Sequence, residues 1–163
     1  MEIERKFLVK ELPDLLDIKP VRYERYYLKK DEPLVERIQR KGDRYEFESK
    51  KTISPLEHEK QKRYISQGEF ERLREGKEAE GIIRDGYTLS EDPEVSIKIY
   101  HERFEGLIRA EVEFSSKETA EAYIPDSWMG AEVTISPLGA DARLLHLTRD
   151  EFSSLLQRTQ RNQ

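Results

Sequence analysis

The stretch Met1–Val9, MEIERKFLV, alternates its side chains in a pattern that an extended chain sorts into two faces. Glu2, Glu4 and Lys6 fall on one face, and Ile3, Arg5 and Phe7 on the other. The same alternation returns at Glu111 and Glu113 within IRAEVEF, and a further acid, Glu132, sits in the strand-like run GAEVTIS. Any one of these runs alone is explained by a solvated sheet edge. Separate strands that each present acids on one face point instead to a shared site, because carboxylate oxygens from several strands can converge on a cation.

The rest of the chain reads as more of the same sheet. VRYERYYL (21–28), LVERIQR (34–40) and RYEFESK (44–50) are three strands, the last two joined by a turn at Lys41, Gly42 and Asp43. Tyr23, Arg25 and Tyr27 share a face, as do Arg37 and Gln39, and as do Glu46, Glu48 and Lys50. Strands are also expected at 82–89, 95–100, 106–114 and 131–136. Residues 57–74 read as a polar helix with Tyr64, Phe70 and Leu73 for packing, 116–123 as a short helix, 11–17 as a short helix or turn, and 141–160 as a C-terminal helix. About eight strands without regular strand and helix alternation argue against a parallel sheet. The expected fold class is mainly β (α+β), an antiparallel β-barrel of about eight strands with peripheral helices, formed by a single domain over 1–163; a plain solvated sheet is the alternative.

Composition narrows the chemistry. Charged residues make up 39% of the chain against 36% apolar, which fits a barrel whose interior is itself polar. The net charge of -5 argues against duplex nucleic acid as a partner, while leaving room for a local basic lining. The chain has no cysteine, which removes disulfides, thiolate catalysis and cysteine-ligated zinc, and its three histidines lack a zinc spacing. With no apolar run long enough to span a bilayer and no leader-like start, a cytoplasmic protein without membrane contact is expected.

EIERKFLV (2–9) resembles the opening ExExK motif of the CYTH family, the triphosphate tunnel metalloenzymes. VERIQRKGDRYEF (35–47), Lys50, GLIRAEVEF (106–114) and PDSWMGAEVT (125–134) follow in the family's order, so the resemblance covers nearly the whole chain. It implies a closed eight-stranded antiparallel β-barrel whose tunnel binds a triphosphate group together with Mg2+ or Mn2+. Glu2, Glu4, Glu111, Glu113 and Glu132 match the family's metal-site acids, and Lys6 its phosphate-side lysine; Glu2, Glu4, Lys6, Glu111 and Glu113 are the expected catalytic set. Arg37, Lys50 and Arg84 match basic positions expected to hold phosphate oxygens.

The resemblance breaks at several basic positions. Gln39 stands where the central strand usually carries a second arginine, Pro55 stands at the basic position of the following segment, and Gly86 replaces the second base of a later pair. Arg25, Lys98 and Arg109 lie on the polar sides of their strands and are expected to rebuild the phosphate lining. The function implied is a metal-dependent phosphohydrolase acting on tripolyphosphate or a small organic triphosphate. The alternatives are a noncatalytic polyphosphate- or nucleotide-binding protein and a class IV adenylyl cyclase. A homodimer is compatible with an exposed strand or the 141–160 helix as its contact.

Overall fold

The computed structural model describes residues 1–163. Its nine strands are β1 (Glu2–Val9), β2 (Val21–Lys29), β3 (Leu34–Lys41), β4 (Arg44–Thr52), β5 (Glu57–Tyr64), β6 (Gly81–Glu91), β7 (Glu94–His101), β8 (Ile108–Phe114) and β9 (Met129–Glu132). Eight of them form a closed antiparallel barrel in the order β1-β8-β7-β6-β2-β3-β4-β5, with β5 returning to β1. Closure is confined to the start of β1, where Glu2 lies opposite His58 and Ile3 opposite Glu57. The other half of the same β1 edge takes β9, with Phe7 opposite Glu132 and Val9 opposite Met129. One strand edge is thus divided between the barrel seam and an added strand. Four helices lie outside the sheet: α1 (Gln67–Arg74), α2 (Lys117–Ala122), α3 (Asp141–Leu144) and α4 (Arg149–Arg161). None is long and apolar enough to cross a membrane.

Strand alternation makes the barrel's inner face change character along its length. On β1 the inward positions run Glu2, Glu4, Lys6 and then Leu8; on β7 they run Ser96, Lys98 and then Tyr100. Leu8, Tyr27, Val35, Ile82 and Tyr100 form an apolar ring at one end of the lumen. They pack into one cluster with Leu138, Ala142, Leu144 and Leu145 from the segment that follows β9, and with Phe152 and Leu156 of α4. That segment plugs this end. Its turn at 137–139 lies so close to the preceding chain that a Cβ on Gly139 would stand 1.9 Å from the Val133 carbonyl oxygen, so only glycine fits there. A second, smaller cluster of Phe7, Val95, Ala110, Val112 and Met129 lies on the outer face. Phe70 of α1 covers another outer patch by packing on Tyr26 and Tyr45.

Two expectations about the helices change. Residues 57–64 form strand β5, and only 67–74 are helical. EHEKQKRY carries only Tyr64 at its end and so displays no period, and its backbone groups are wanted by β4 along the strand and by β1 at the barrel seam. The helix proper starts at Ser66, whose side chain accepts from the Glu69 amide. The 141–160 helix is interrupted: α3 ends at Leu144, and Thr148 begins α4 with a reciprocal capping box to Glu151. Residues 11–17 hold only turns, and the last strand spans 129–132 rather than 131–136.

Candidate active site

The strand register carries charged residues from all eight barrel strands into one cavity of about 150 Å³. Two neighbouring strands, β1 and β8, place Glu4 opposite Glu113 and Lys6 opposite Glu111. Oxygens of Glu2, Glu4 and Glu113 lie within 4.8 Å of one another. Lys50 of β4 reaches this group, standing 3.0 Å from Glu2 and 2.8 Å from Glu4, and Lys6 stands 3.3 Å from Glu4. Burial works against ionisation of Glu4, but Lys6 and Lys50 outweigh it and hold the carboxyl well below the usual range. Glu113 differs. It faces Glu94 across the β7–β8 pair and makes no ion pair, so burial and the charges of Glu2, Glu94 and Glu4 push it up to about 7. Lys6 is lowered to about 8, mainly by burial, and His58 to about 4 by burial and then by Lys50, which leaves the imidazole neutral near pH 7.

The remaining lumen is an ion-pair network. Arg37 donates to Glu48 at 2.9 Å and to the Tyr27 hydroxyl at 2.9 Å. Arg25 donates to Gln39 at 2.7 Å, and Gln39 passes the chain of bonds on to Glu46 at 2.7 Å. Lys60 bridges Glu2 and Glu48, at 3.2 and 3.7 Å, and Lys62 stands 3.4 Å from Glu46. Deeper in, Glu111 gathers Arg109 at 2.7 Å, Arg84 at 3.3 Å and Lys98 at 3.6 Å. Its own burial is overcome by these bases, so it stays ionised far below its ordinary value.

Of the residues expected from sequence, Glu2, Glu4, Lys6, Glu113, Arg25, Arg37, Lys50, Arg84, Lys98, Arg109 and Glu111 all line this cavity. They do not form one group. Glu111 is surrounded by bases and stands apart from the acid trio, and Arg109 directs its donors at Glu111, Asp141 and the Leu138 carbonyl. Glu132 is not in the lumen. Its register opposite Phe7 puts it on the outer face, where Arg5 donates to both of its oxygens at 2.8 and 3.0 Å and the Thr134 hydroxyl donates at 2.7 Å. It is therefore removed from the candidate metal ligands. Lys60, Lys62 and His58 join the lumen as well: they share the inward face of β5, a face that the helix expected over 57–74 does not have. The sequence does not reveal Asp141, whose neighbours become visible only when the plug meets the barrel.

The closed antiparallel barrel thus carries eleven Lys and Arg against nine Asp and Glu in its lumen, in a chain of net charge -5, with a separate acid cluster beside the bases. No family model matches the chain. It is 31% identical over 136 residues to the inorganic triphosphatase of Nitrosomonas europaea, an alignment covering 82% of this chain and 89% of that protein. A solved structure of an inorganic triphosphatase superposes with a TM-score of 0.67 at 27% identity, covering 91% of this chain and 96% of the other. A putative adenylate cyclase from Bacillus halodurans shares the fold at a TM-score of 0.56 and 17% identity, covering 75% and 84% of the two chains. The chain belongs to the CYTH, or triphosphate tunnel, family.

Proposed function

We propose that the protein hydrolyses the terminal phosphoanhydride of inorganic tripolyphosphate, with small organic triphosphates as secondary substrates, and that it does so with a divalent metal. One observation carries this reading: an acid trio with one unpaired member opens directly onto a run of bases in the same lumen. Glu2, Glu4 and Glu113 fit a hard divalent cation such as Mg2+ or Mn2+, since they offer oxygen donors only and Glu113 has no basic partner to displace. When bound, such an ion supplies charge neutralisation of the phosphate chain and acidification of a coordinated water.

The chain's own residues do the rest. Lys6, Lys50, Arg37, Arg84 and Lys98 supply donors from five strands to phosphate oxygens, the arginines by their planar forks and the lysines as point charges. Their positions are fixed in advance by ion pairs with Glu4, Glu48 and Glu111, so little reorganisation accompanies charge development at the terminal phosphorus. Water adds to that phosphorus, the bridging bond breaks, and orthophosphate and diphosphate leave with one proton released. The lumen offers no open aromatic face for a nucleobase: Tyr23 already lies under Arg84 at 4.7 Å, Arg25 at 5.1 Å, Lys41 at 5.4 Å and Lys98 at 5.6 Å. This supports ranking the inorganic chain ahead of ATP.

The test is phosphate release from purified protein supplied separately with tripolyphosphate, thiamine triphosphate and ATP, each with Mg2+ or Mn2+ and with Glu4→Gln and Glu111→Gln controls. Fastest release from tripolyphosphate, lost in the Glu4→Gln protein, is the expected result. Polyphosphate-dependent thermal stabilisation without release under either metal overturns the hydrolase reading in favour of a binding protein.

A further inference from the structure

The plug brings one acid into the lumen that neither the metal cluster nor the phosphate-binding set uses. Asp141 begins α3 and its side chain is 1% exposed. One of its oxygens takes Arg25 at 2.8 Å and Arg84 at 3.3 Å; the other takes Arg109 at 3.0 Å and the Tyr100 hydroxyl. Three guanidiniums from β2, β6 and β8 thus converge on one small anion, an arrangement that would equally suit a phosphate group. A carboxylate fixed to the protein occupies it instead. Arg84 supplies a second, independent observation. This side chain is buried and lines the cavity, yet its Nε is buried without a hydrogen-bond partner, while its Nη1 lies on Tyr100 and Glu111. A buried guanidinium with one donor unfilled, beside a fixed anion, has hydrogen-bonding capacity that the protein itself does not use.

Resting on the hydrolase reading only for the identity of the ligand, we propose that Asp141 is a built-in counter-anion that ends the phosphate-binding run and so sets the length of polyphosphate chain the lumen accepts. A chain entering past the acid trio meets Lys6, Lys50 and Lys98 and ends against Arg84. Beyond it, Asp141 holds the place of a further phosphate and repels one. Along β8 the run from Glu113 to Arg109 is four residues, about 13 Å of extended chain. The plug cannot retreat to lengthen it, because Leu138 is fully buried in the apolar cluster and Gly139 abuts the Val133 carbonyl. Asp141 is in this sense a specificity-determining residue rather than a catalytic one.

The experiment measures Kd for linear tripolyphosphate and linear tetrapolyphosphate by calorimetry on the wild-type protein, on Asp141→Asn, and on Asp141→Asn combined with Arg25→Gln. The double variant removes the arginine whose one ion pair is with Asp141, so that less positive charge is left unmatched and folding is protected. Wild type is expected to favour the shorter chain. In each variant that folds, the ratio of the two Kd values moves toward tetrapolyphosphate by about tenfold, since a buried like-charge contact has been removed. Melting of Asp141→Asn is expected to be lowered in plain buffer and restored by tetrapolyphosphate more fully than by tripolyphosphate. A ratio unchanged from wild type in the folded variants overturns the proposal and leaves Asp141 as a structural ion-pair partner alone. Wild type that binds these chains without releasing phosphate sinks the hydrolase reading and not this one, whereas wild type that binds neither chain sinks both.

Discussion

Replacing Glu113 by glutamine separates the cost of the acid cluster from its use. In the protein without metal, Glu113 faces Glu2, Glu4 and Glu94 with no base in contact, and it keeps its proton up to about pH 7 rather than its ordinary 4.5. The native state therefore binds more protons than the unfolded chain between these values, so stability falls as pH rises through that window and the deficit is complete above pH 7. Full transfer of the shift would amount to roughly 3 kcal/mol, and solvent screening at this partly exposed position reduces it to about 1 kcal/mol. Glu113→Gln should match wild type near pH 4 and be about 1 kcal/mol more stable at pH 8 in chelator, or about 2–4 °C in Tm for a chain of this size. Added Mg2+ or Mn2+ should then reverse the order, because wild type gains the free energy of binding and the variant loses a ligand. Phosphate release should fall by about 10²–10³-fold. Thermal melts at pH 4 and pH 8, each with chelator and with metal, test all of this. A variant less stable than wild type at pH 8 in chelator, or one that gains as much from metal, refutes the reasoning.

Further outcomes follow from the same geometry. Lys6 is held at about 8 by burial, so kcat/KM for tripolyphosphate should decline above pH 8 as the free protein loses that ammonium, and Lys6→Arg should remove the alkaline limb; a limb that persists in the variant assigns it elsewhere. Glu132→Gln should leave metal dependence and phosphate release at wild-type levels and cost less than about 1 kcal/mol in urea denaturation, since its partner Arg5 also donates to the Ala120 and Tyr123 carbonyls. Loss of metal binding in that variant would return Glu132 to the site. Phe152→Ala should cost about 4 kcal/mol by emptying the edge-on contact with Phe104 beneath the plug, read as a large drop in urea midpoint.

The barrel was legible because several strands advertise themselves by period: Ile3 and Phe7 flank the Glu2, Glu4 and Lys6 face, and Val95, Ile97 and Ile99 alternate with Ser96, Lys98 and Tyr100, which gives both the strand and the face. β5 defeated the same logic, since every residue from Glu57 to Lys62 is polar and both periods are silent; its structure comes from the hydrogen bonds that β4 and β1 have to offer. Glu132 was misplaced for a related reason. Its motif context suggests an inward acid, but which way a short strand faces is set by register with β1, and a shift of one residue exchanges the faces. Asp141 was legible only as a residue near a helix start. Its three arginines are 32 to 116 positions away in sequence, and nothing local distinguishes it from a surface cap.

The lumen's charge balance also bears on why the acids are there at all. Eleven bases against nine acids leave a surplus of two positive charges, fewer than a fully ionised triphosphate carries in negative charge. A lining of bases alone would bind the polyanion more strongly, but eleven mutually repelling cations around one cavity would not stay folded without it. Internal acids resolve the conflict in two ways. Glu48, Glu111 and Asp141 neutralise arginines and hold their forks in place, while Glu2, Glu4 and Glu113 leave room for mobile divalent charge that arrives with the ligand and makes up the shortfall. On this account polyphosphate affinity should rise steeply with Mg2+ or Mn2+ in wild type and weakly in a Glu4→Gln, Glu113→Gln protein. Titration of tripolyphosphate against both proteins at increasing metal checks it, and equal metal dependence in the two would mean that the ion rides on the phosphate chain without using the acid trio.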